Sequence, residues 1–135
     1  MNKFGVSEDK LKCGIQEPIS KTARENLLKS GEKACSIHNN CSGKHTAMLL
    51  ICKELGYSIE DYKDFEHPLS DFIINHVCEL CEVSKDNIVI SKDGCGLPVI
   101  ATTLESLGRG FLNLFCNPKY EKIKNAYRAV HLKKD

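Results

Sequence analysis

Apolar side chains recur along most of the chain at the three-to-four-residue spacing of an amphipathic helix. This spacing predicts five helices, near residues 20–31, 42–56, 68–81, 104–115 and 117–130. Ser20 is a typical N-cap residue, and Pro68 is typical of the first helical position. Gly31 and Gly56 are the expected helix ends, because glycine readily adopts the left-handed conformation that terminates a helix.

Two short β-branched stretches predict strands. Residues 87–91 (Asn-Ile-Val-Ile-Ser) are the stronger candidate, and residues 99–102 (Val-Ile-Ala-Thr) are the weaker one. The sequence therefore predicts an α+β fold that is mainly helical, with one or two short strands. The chain has 135 residues, 41% of them hydrophobic, and shows no internal repeat or linker, so we expect a single domain over residues 1–135.

Charge and composition narrow the possible partners. The formal net charge is +1, with 19 basic and 18 acidic side chains, so nucleic acid and anionic membranes are not expected to bind. Residues 1–7 lack the apolar region of a signal peptide, and no apolar run approaches the ~18 residues of a membrane-spanning helix. These features favour a cytoplasmic location, where the eight cysteines are expected to be thiols or ligands rather than disulfides.

Two polar segments form the candidate site. Residues 39–45 read Asn-Asn-Cys-Ser-Gly-Lys-His directly before the apolar run at 47–52, and residues 93–98 read Asp-Gly-Cys-Gly-Leu-Pro. A dense group of amide, thiol, amine and imidazole side chains at the start of a buried helix favours a binding role. Cys41 lies at or just before this helix start, where free backbone N–H groups and the helix dipole favour a thiolate.

The spacing of these residues suggests a metal site. Lys44 follows Cys41 by three residues, the separation at which a Cys-x-x-Cys pair binds one metal ion. A lysine binds metal only as the neutral amine, so a bound dication would have to lower its pKa from about 10.4. Cys95, between two glycines that permit a tight turn, is the expected distant ligand, and Asp93 is placed to orient it or to hold a water molecule. Two thiolates and a nitrogen favour zinc, with a fourth coordination position left open.

A structural interpretation of the same residues stays open. In it, Cys41 and Cys95 are separately buried thiols, Lys44 is a solvated lysine, and the two glycines only form a turn. Likewise, Cys78 and Cys81 have the spacing of a redox pair but fall inside a helical pattern, so we expect two core thiols there.

Four residues beside the proposed ligands are candidates for substrate binding. Asn39 and Asn40 can bind a carboxylate or an amide through their own amides, although consecutive asparagines are also common in turns. His45 can serve as a general base, or it can be an ordinary solvated side chain. Ser42 is grouped with these residues as a substrate contact, but we expect it to be the helix N-cap rather than a nucleophile.

Taken as whole strings, residues 38–45 and 93–98, with the His67-Pro68 pair between them, resemble the asparaginase II family of rhizobial-type L-asparaginases. The similarity extends from about Phe4 to His131. It implies hydrolysis of L-asparagine to L-aspartate and ammonia, and a fold similar to the serine β-lactamases and glutaminases. It also implies a zinc site whose ligands correspond to Cys41, Lys44 and Cys95.

The resemblance also sets an expectation about the nucleophile. Members of the family are longer, and their catalytic Ser-x-x-Lys segment precedes the region that matches here. We therefore expect this sequence to be the central part of a family domain, inactive alone, forming a homodimer or associating with the missing segments. Ser7 and Lys10 do form a Ser-x-x-Lys, but the two acids between them indicate an ordinary helix cap.

Three functions remain open from the sequence. The first is a zinc-assisted amidohydrolase acting on L-asparagine, with the serine nucleophile outside this chain. The second is a cysteine hydrolase in which Cys41 is the nucleophile, His45 the base and Asp93 the residue that orients it. The third is a non-catalytic module that binds zinc or a small amino acid.

Overall fold

The computed structural model describes residues 4–131 as a mainly helical chain with one small sheet. The α-helices are Lys21–Ser30 (α1), Ser42–Leu55 (α2), Pro68–Cys81 (α3), Leu104–Cys116 (α4) and Glu121–His131 (α5), and the strands are Val89–Lys92 (β1) and Pro98–Ala101 (β2). Short 3-10 turns occur at Glu8–Lys10, Ser36–His38, Lys85–Asn87 and Pro118–Tyr120. The predicted α+β class is confirmed, whereas the likeness to serine β-lactamases stays a prediction.

The helix ends follow the predicted signals, with one exception. Ser20 accepts the Ala23 N–H to cap α1, and Gly31 and Gly56 end α1 and α2 in the left-handed conformation, with φ of 71° at both. The expectation that Ser42 caps α2 is wrong. Cys41 occupies the N-cap position, and the Ser42 N–H instead donates to the Asn39 carbonyl at 2.9 Å, in a turn that precedes the helix.

The two strands pair as an antiparallel hairpin, and both are shifted from their predicted bounds. β1 begins two residues late because residues 85–87 form a 3-10 turn capped by Ser84, whose hydroxyl accepts the Asp86 N–H at 3.3 Å. β2 begins one residue early, at Pro98, and proline is tolerated as the first residue of a strand. The loop between the strands, residues 93–97, contains two predicted site residues.

The chain divides into two compact units, and the first contains the candidate site. It comprises the chain up to Asp71 together with Lys92–Val99. Its buried apolar side chains are Val6, Leu11, Cys13, Leu49, Cys52, Tyr62, Leu69, Cys95 and Leu97. The predicted single domain over the whole chain stays a prediction.

The second unit comprises Phe72–Ser91 and the chain from Ile100 onward. Within it, Ile74 and Cys81 are buried, and Cys78 is half-buried. The expectation of core thiols is thus confirmed for Cys81. Asn113 of α4 donates to the Leu80 carbonyl at 2.8 Å, which ties α4 to the end of α3.

No helix within residues 4–131 is both long enough and apolar enough to cross a membrane.

A close approach between α3 and α4 explains a glycine in the middle of a helix. A Cβ atom added at Gly110 would lie 2.7 Å from the Cys81 sulfur, whereas one at Gly108 would meet nothing within 4 Å. We expect Gly110→Ala to lower the free energy of unfolding by about 1–3 kcal/mol through overpacking. Gly108→Ala is the matched control and should raise it by up to about 1 kcal/mol, because alanine favours helix. Urea denaturation of both variants measures this, and equal effects would contradict the packing argument.

Candidate metal centre

The hairpin loop brings Asp93 and Cys95 together. The Asp93 N–H donates to the Leu97 carbonyl at 3.0 Å, and the Gly96 N–H donates to the Asp93 carbonyl at 2.9 Å. Gly96 has a φ of 87°, a conformation that glycine adopts at little cost. Within this turn, Asp93 Oδ1 accepts both the Cys95 N–H and the Cys95 thiol, each at 2.8 Å. The loop therefore holds the buried thiol against a carboxylate.

The first turn of α2 supplies the other two side chains. Cys41 is the N-cap residue, and Lys44 lies within the first turn. The Lys44 ammonium donates to Asp93 Oδ2 and forms an ion pair with it. Segments about 50 residues apart in sequence thus meet through one carboxylate, whose two oxygens bind different partners.

The arrangement fits a metal ion. Cys41 Sγ, Cys95 Sγ and a carboxylate oxygen of Asp93 all lie within 4.8 Å of one another. In tetrahedral zinc sites a Zn–S bond of about 2.3 Å places two thiolate sulfurs roughly 3.8 Å apart, which is compatible with this cluster. The Lys44 nitrogen lies beside this cluster through its contact with Asp93. The structure thus brings the three side chains that the sequence predicts as ligands to one place, together with Asp93.

Hydrogen bonds within the cluster shift the pKa values of its side chains. Hydrogen bonds from Cys95 and then Lys44 hold the pKa of Asp93 far below its usual range. Burial is the largest single influence on Lys44 and disfavours its ammonium, but the hydrogen bond to Asp93 and the interactions with Cys95 together outweigh it, so the pKa of Lys44 is raised. Burial, followed by the hydrogen bond to Asp93, raises the pKa of the Cys95 thiol. Metal binding at this cluster must therefore release protons from the lysine and the thiol.

His45 lies beneath the cluster with its ring orientation fixed. Its side chain is fully buried, and Nδ1 is 2.6 Å from the Tyr62 hydroxyl. That hydroxyl also accepts the Lys12 N–H at 2.9 Å, so it links the Lys12 backbone to the imidazole ring. Burial lowers the pKa of His45 to about 4, so the ring is neutral. Nε2 has no hydrogen-bond partner among residues 4–131.

This geometry bears on the cysteine hydrolase interpretation. In a catalytic triad the carboxylate accepts a hydrogen bond from the histidine. Here His45 Nδ1 bonds Tyr62, while the Asp93 carboxylate bonds Lys44 and Cys95.

The sequence indicated His45 and Asp93 but not Tyr62, because the segment around Tyr62 has no helical or strand pattern to mark it.

A cavity of about 520 Å³ opens next to the cluster. Its lining residues are Cys13, Ile15, Gln16, Asn39, Asn40, Cys41, Asp93, Gly94 and Cys95. Two predicted substrate contacts, Asn39 and Asn40, lie on its wall, whereas Ser42 and His45 are not part of the lining. The Asn40 N–H donates to Gln16 Oε1 at 3.2 Å. Cys13 also lies on this wall, a position that no pattern in the sequence indicates.

The side chain of Asn39 is turned toward backbone groups. Its Oδ1 accepts the Cys41 N–H at 2.8 Å. Its Nδ2 donates to the Cys13 carbonyl at 3.0 Å and to the Gly14 carbonyl at 3.2 Å.

Neither Ser-x-x-Lys pair of the sequence has the setting of a nucleophile. Ser7 directly precedes the 3-10 turn Glu8–Lys10 as expected, and its hydroxyl donates to Asp9 rather than capping the turn. A second pair, Ser30 and Lys33, was missed in the sequence. Gly31 ends α1 between these two residues, and the exposed Ser30 hydroxyl donates to the Leu27 carbonyl at 2.9 Å.

Comparison with known families decides the relationship of this chain. A family model described as L-asparaginase II matches residues 1–132. The chain belongs to the L-asparaginase II family. The resemblance seen in residues 38–45 and 93–98 is therefore confirmed. No curated protein matches the chain.

The Tyr62 hydroxyl is expected to support the fold beneath the cluster. Tyr62→Phe removes the partner of two buried groups, the Lys12 N–H and His45 Nδ1. We expect the free energy of unfolding to fall by about 1–3 kcal/mol, the usual cost of leaving buried polar groups unpaired. The matched control is Tyr57→Phe, at a half-buried tyrosine whose hydroxyl has no partner among the described residues. Chemical denaturation should show little change for Tyr57→Phe, and an equally small change for Tyr62→Phe would contradict the assignment.

Proposed function

We propose that this chain binds one zinc ion through Cys41, Lys44 and Cys95, and that this centre serves the hydrolysis of L-asparagine to L-aspartate and ammonia. The observation that carries the proposal is the convergence of two thiols, an amine and a carboxylate from the first turn of α2 and the hairpin loop. Membership of the L-asparaginase II family supports the reaction.

The donor set favours zinc over harder ions. Thiolates select zinc and other soft metals, whereas magnesium and calcium prefer oxygen ligands alone. Three protein ligands leave a fourth position open, as in catalytic zinc sites. A zinc ion there supplies Lewis acidity that holds or polarises an amide or carboxylate oxygen of the substrate.

Asp93 orients two of the proposed zinc ligands, Lys44 and Cys95, before the ion binds. One of its oxygens directs the Lys44 nitrogen into the cluster, and the other holds the Cys95 sulfur at 2.8 Å. Outer-shell hydrogen bonds of this kind orient metal ligands and tune their basicity. Asp93 is thus given a supporting role, as the sequence suggested, and its oxygen is also close enough to join the ligand set.

The cavity beside the cluster is proposed as the substrate site. Asn40 lines it next to Cys41, and we assign its side-chain amide to binding the α-carboxylate or amide of L-asparagine. Roles for Asn39, Ser42 and His45 in substrate binding stay predictions. Homodimer formation likewise stays a prediction.

We also propose that the nucleophile lies outside this sequence. The settings of Ser7 and Ser30 support this, since each hydroxyl donates to a local group on the surface. The cysteine hydrolase is the weaker proposal, because the Asp93 carboxylate bonds Lys44 and Cys95 rather than His45.

The zinc assignment predicts coupled losses in three variants. Cys41→Ser, Lys44→Ala and Cys95→Ser should each lower both the zinc content and the melting temperature, because each removes one ligand of a single ion. Cys116→Ser, which changes an exposed cysteine, is the matched control and should retain zinc. Metal analysis of protein purified without chelator gives the zinc content, with one equivalent expected for the unchanged chain. Full zinc in two of the three ligand variants would show that the ion binds elsewhere.

The placement of the nucleophile predicts a negative result. The chain alone, loaded with zinc, should release little or no ammonia from L-asparagine, because loss of a nucleophile typically removes several orders of magnitude of rate. Ammonia release by the unchanged chain and by Cys41→Ser is measured in parallel. Robust turnover by the zinc-free chain would contradict the proposal if it disappears in Cys41→Ser. That result would favour the cysteine hydrolase.

A further inference from the structure

The Asn39 side chain makes hydrogen bonds to backbone groups through its carbonyl oxygen and through both of its amide hydrogens. The oxygen accepts the N–H of Cys41 two residues later, and the two amide hydrogens go to the consecutive carbonyls of Cys13 and Gly14. The reverse orientation of the amide would set its oxygen against two carbonyl oxygens, so the assignment is unambiguous. Such a side chain has no hydrogen left to offer a substrate.

These three bonds join two separate stretches of the first unit. One stretch is the Cys13–Gly14 turn, in which Gly14 has a φ of 84°, and the other is the N-cap of α2. The neighbouring Asn40 N–H reinforces the junction by donating to Gln16 at 3.2 Å. The α2 N-cap side chain makes no capping hydrogen bond of its own, and the Cys41 backbone is held by the Asn39 oxygen on one side and by the helical bond from the His45 N–H on the other.

We propose that Asn39 is a positioning residue, which places the Cys41 sulfur for metal binding by anchoring the α2 N-cap to the Cys13–Gly14 turn. The proposal rests on the proposed zinc function and replaces the predicted substrate contact of Asn39. Asn40, which lines the same cavity, keeps the substrate role.

Two substitutions remove the bonds from Asn39 to the Cys13 and Gly14 carbonyls but keep an acceptor for the Cys41 N–H. Asn39→Asp and Asn39→Ser both retain an oxygen that can accept the Cys41 N–H, and both lose the two hydrogens that reach Cys13 and Gly14. Asn39→Asp also adds a negative charge, whereas Asn39→Ser does not. Asn40→Asp adds the same charge at the adjacent position and leaves the anchor intact, so it is the matched control.

The first measurement is zinc affinity by competition with a chromophoric chelator. We expect the zinc dissociation constant to rise about 10–100-fold in Asn39→Asp and Asn39→Ser, the usual effect of losing an outer-shell partner. Asn40→Asp should bind zinc as the unchanged chain does, and should instead bind L-aspartate more weakly. Unchanged zinc affinity with weakened L-aspartate binding in both Asn39 variants would overturn the proposal and restore the substrate role.

The second measurement needs no metal. Cys41 Sγ and Cys95 Sγ lie within 4.8 Å, so an excess of oxidised glutathione should convert the two thiols of the zinc-free chain into a disulfide, with release of two molecules of reduced glutathione. We expect this disulfide to form several-fold more slowly in Asn39→Ser than in the unchanged chain or Asn40→Asp. An unchanged rate would overturn the proposal.

The two measurements distinguish the two possible failures. If the unchanged chain binds no zinc but Asn39→Ser still slows disulfide formation, Asn39 positions Cys41 and only the zinc function fails. Thermal melting followed by circular dichroism accompanies each variant. Loss of a cooperative transition in Asn39→Ser would count against the proposal, because Asn39 would then support the fold rather than place one sulfur.

Discussion

The ion pair between Lys44 and Asp93 is the interaction on which the candidate site depends. It joins the first turn of α2 to the hairpin loop, two segments that no regular secondary structure links. The Lys44 ammonium balances the negative charge of the Asp93 carboxylate. A zinc ion would take over this role, so the lysine would change from counter-ion to ligand by losing a proton. Proton release and metal binding are therefore coupled at the same atoms.

The buried side chains of Tyr62 and His45 support this polar cluster. Tyr62 links the Lys12 backbone to His45, and both rings lie in the core of the first unit. Burial raises the pKa of Tyr62 to about 12, so its hydroxyl stays neutral beside the imidazole. Ligands placed on such a fixed support need little reorganisation when an ion binds, and this favours both affinity and selectivity.

The sequence predicted those features that depend on local chemistry. Pro68 and Gly56 marked helix boundaries correctly because each acts through its own backbone preference. The spacing of Cys41 and Lys44 indicated a shared site because side chains three residues apart lie close together on a helical turn. Tyr62 could not be found, since its role comes only from the distant groups that surround it. Asn39 was compatible with a turn or with a substrate contact, and its bonds to two remote carbonyls could not be predicted because they depend on the tertiary structure.

X-ray absorption spectroscopy at the zinc edge of the zinc-loaded chain reports the atoms bound to the ion. A zinc ion held by Cys41, Lys44 and Cys95 should show two sulfur neighbours at about 2.3 Å, together with nitrogen or oxygen neighbours at about 2.0–2.2 Å. A first shell of nitrogen and oxygen alone, or of four sulfurs, would contradict this ligand assignment.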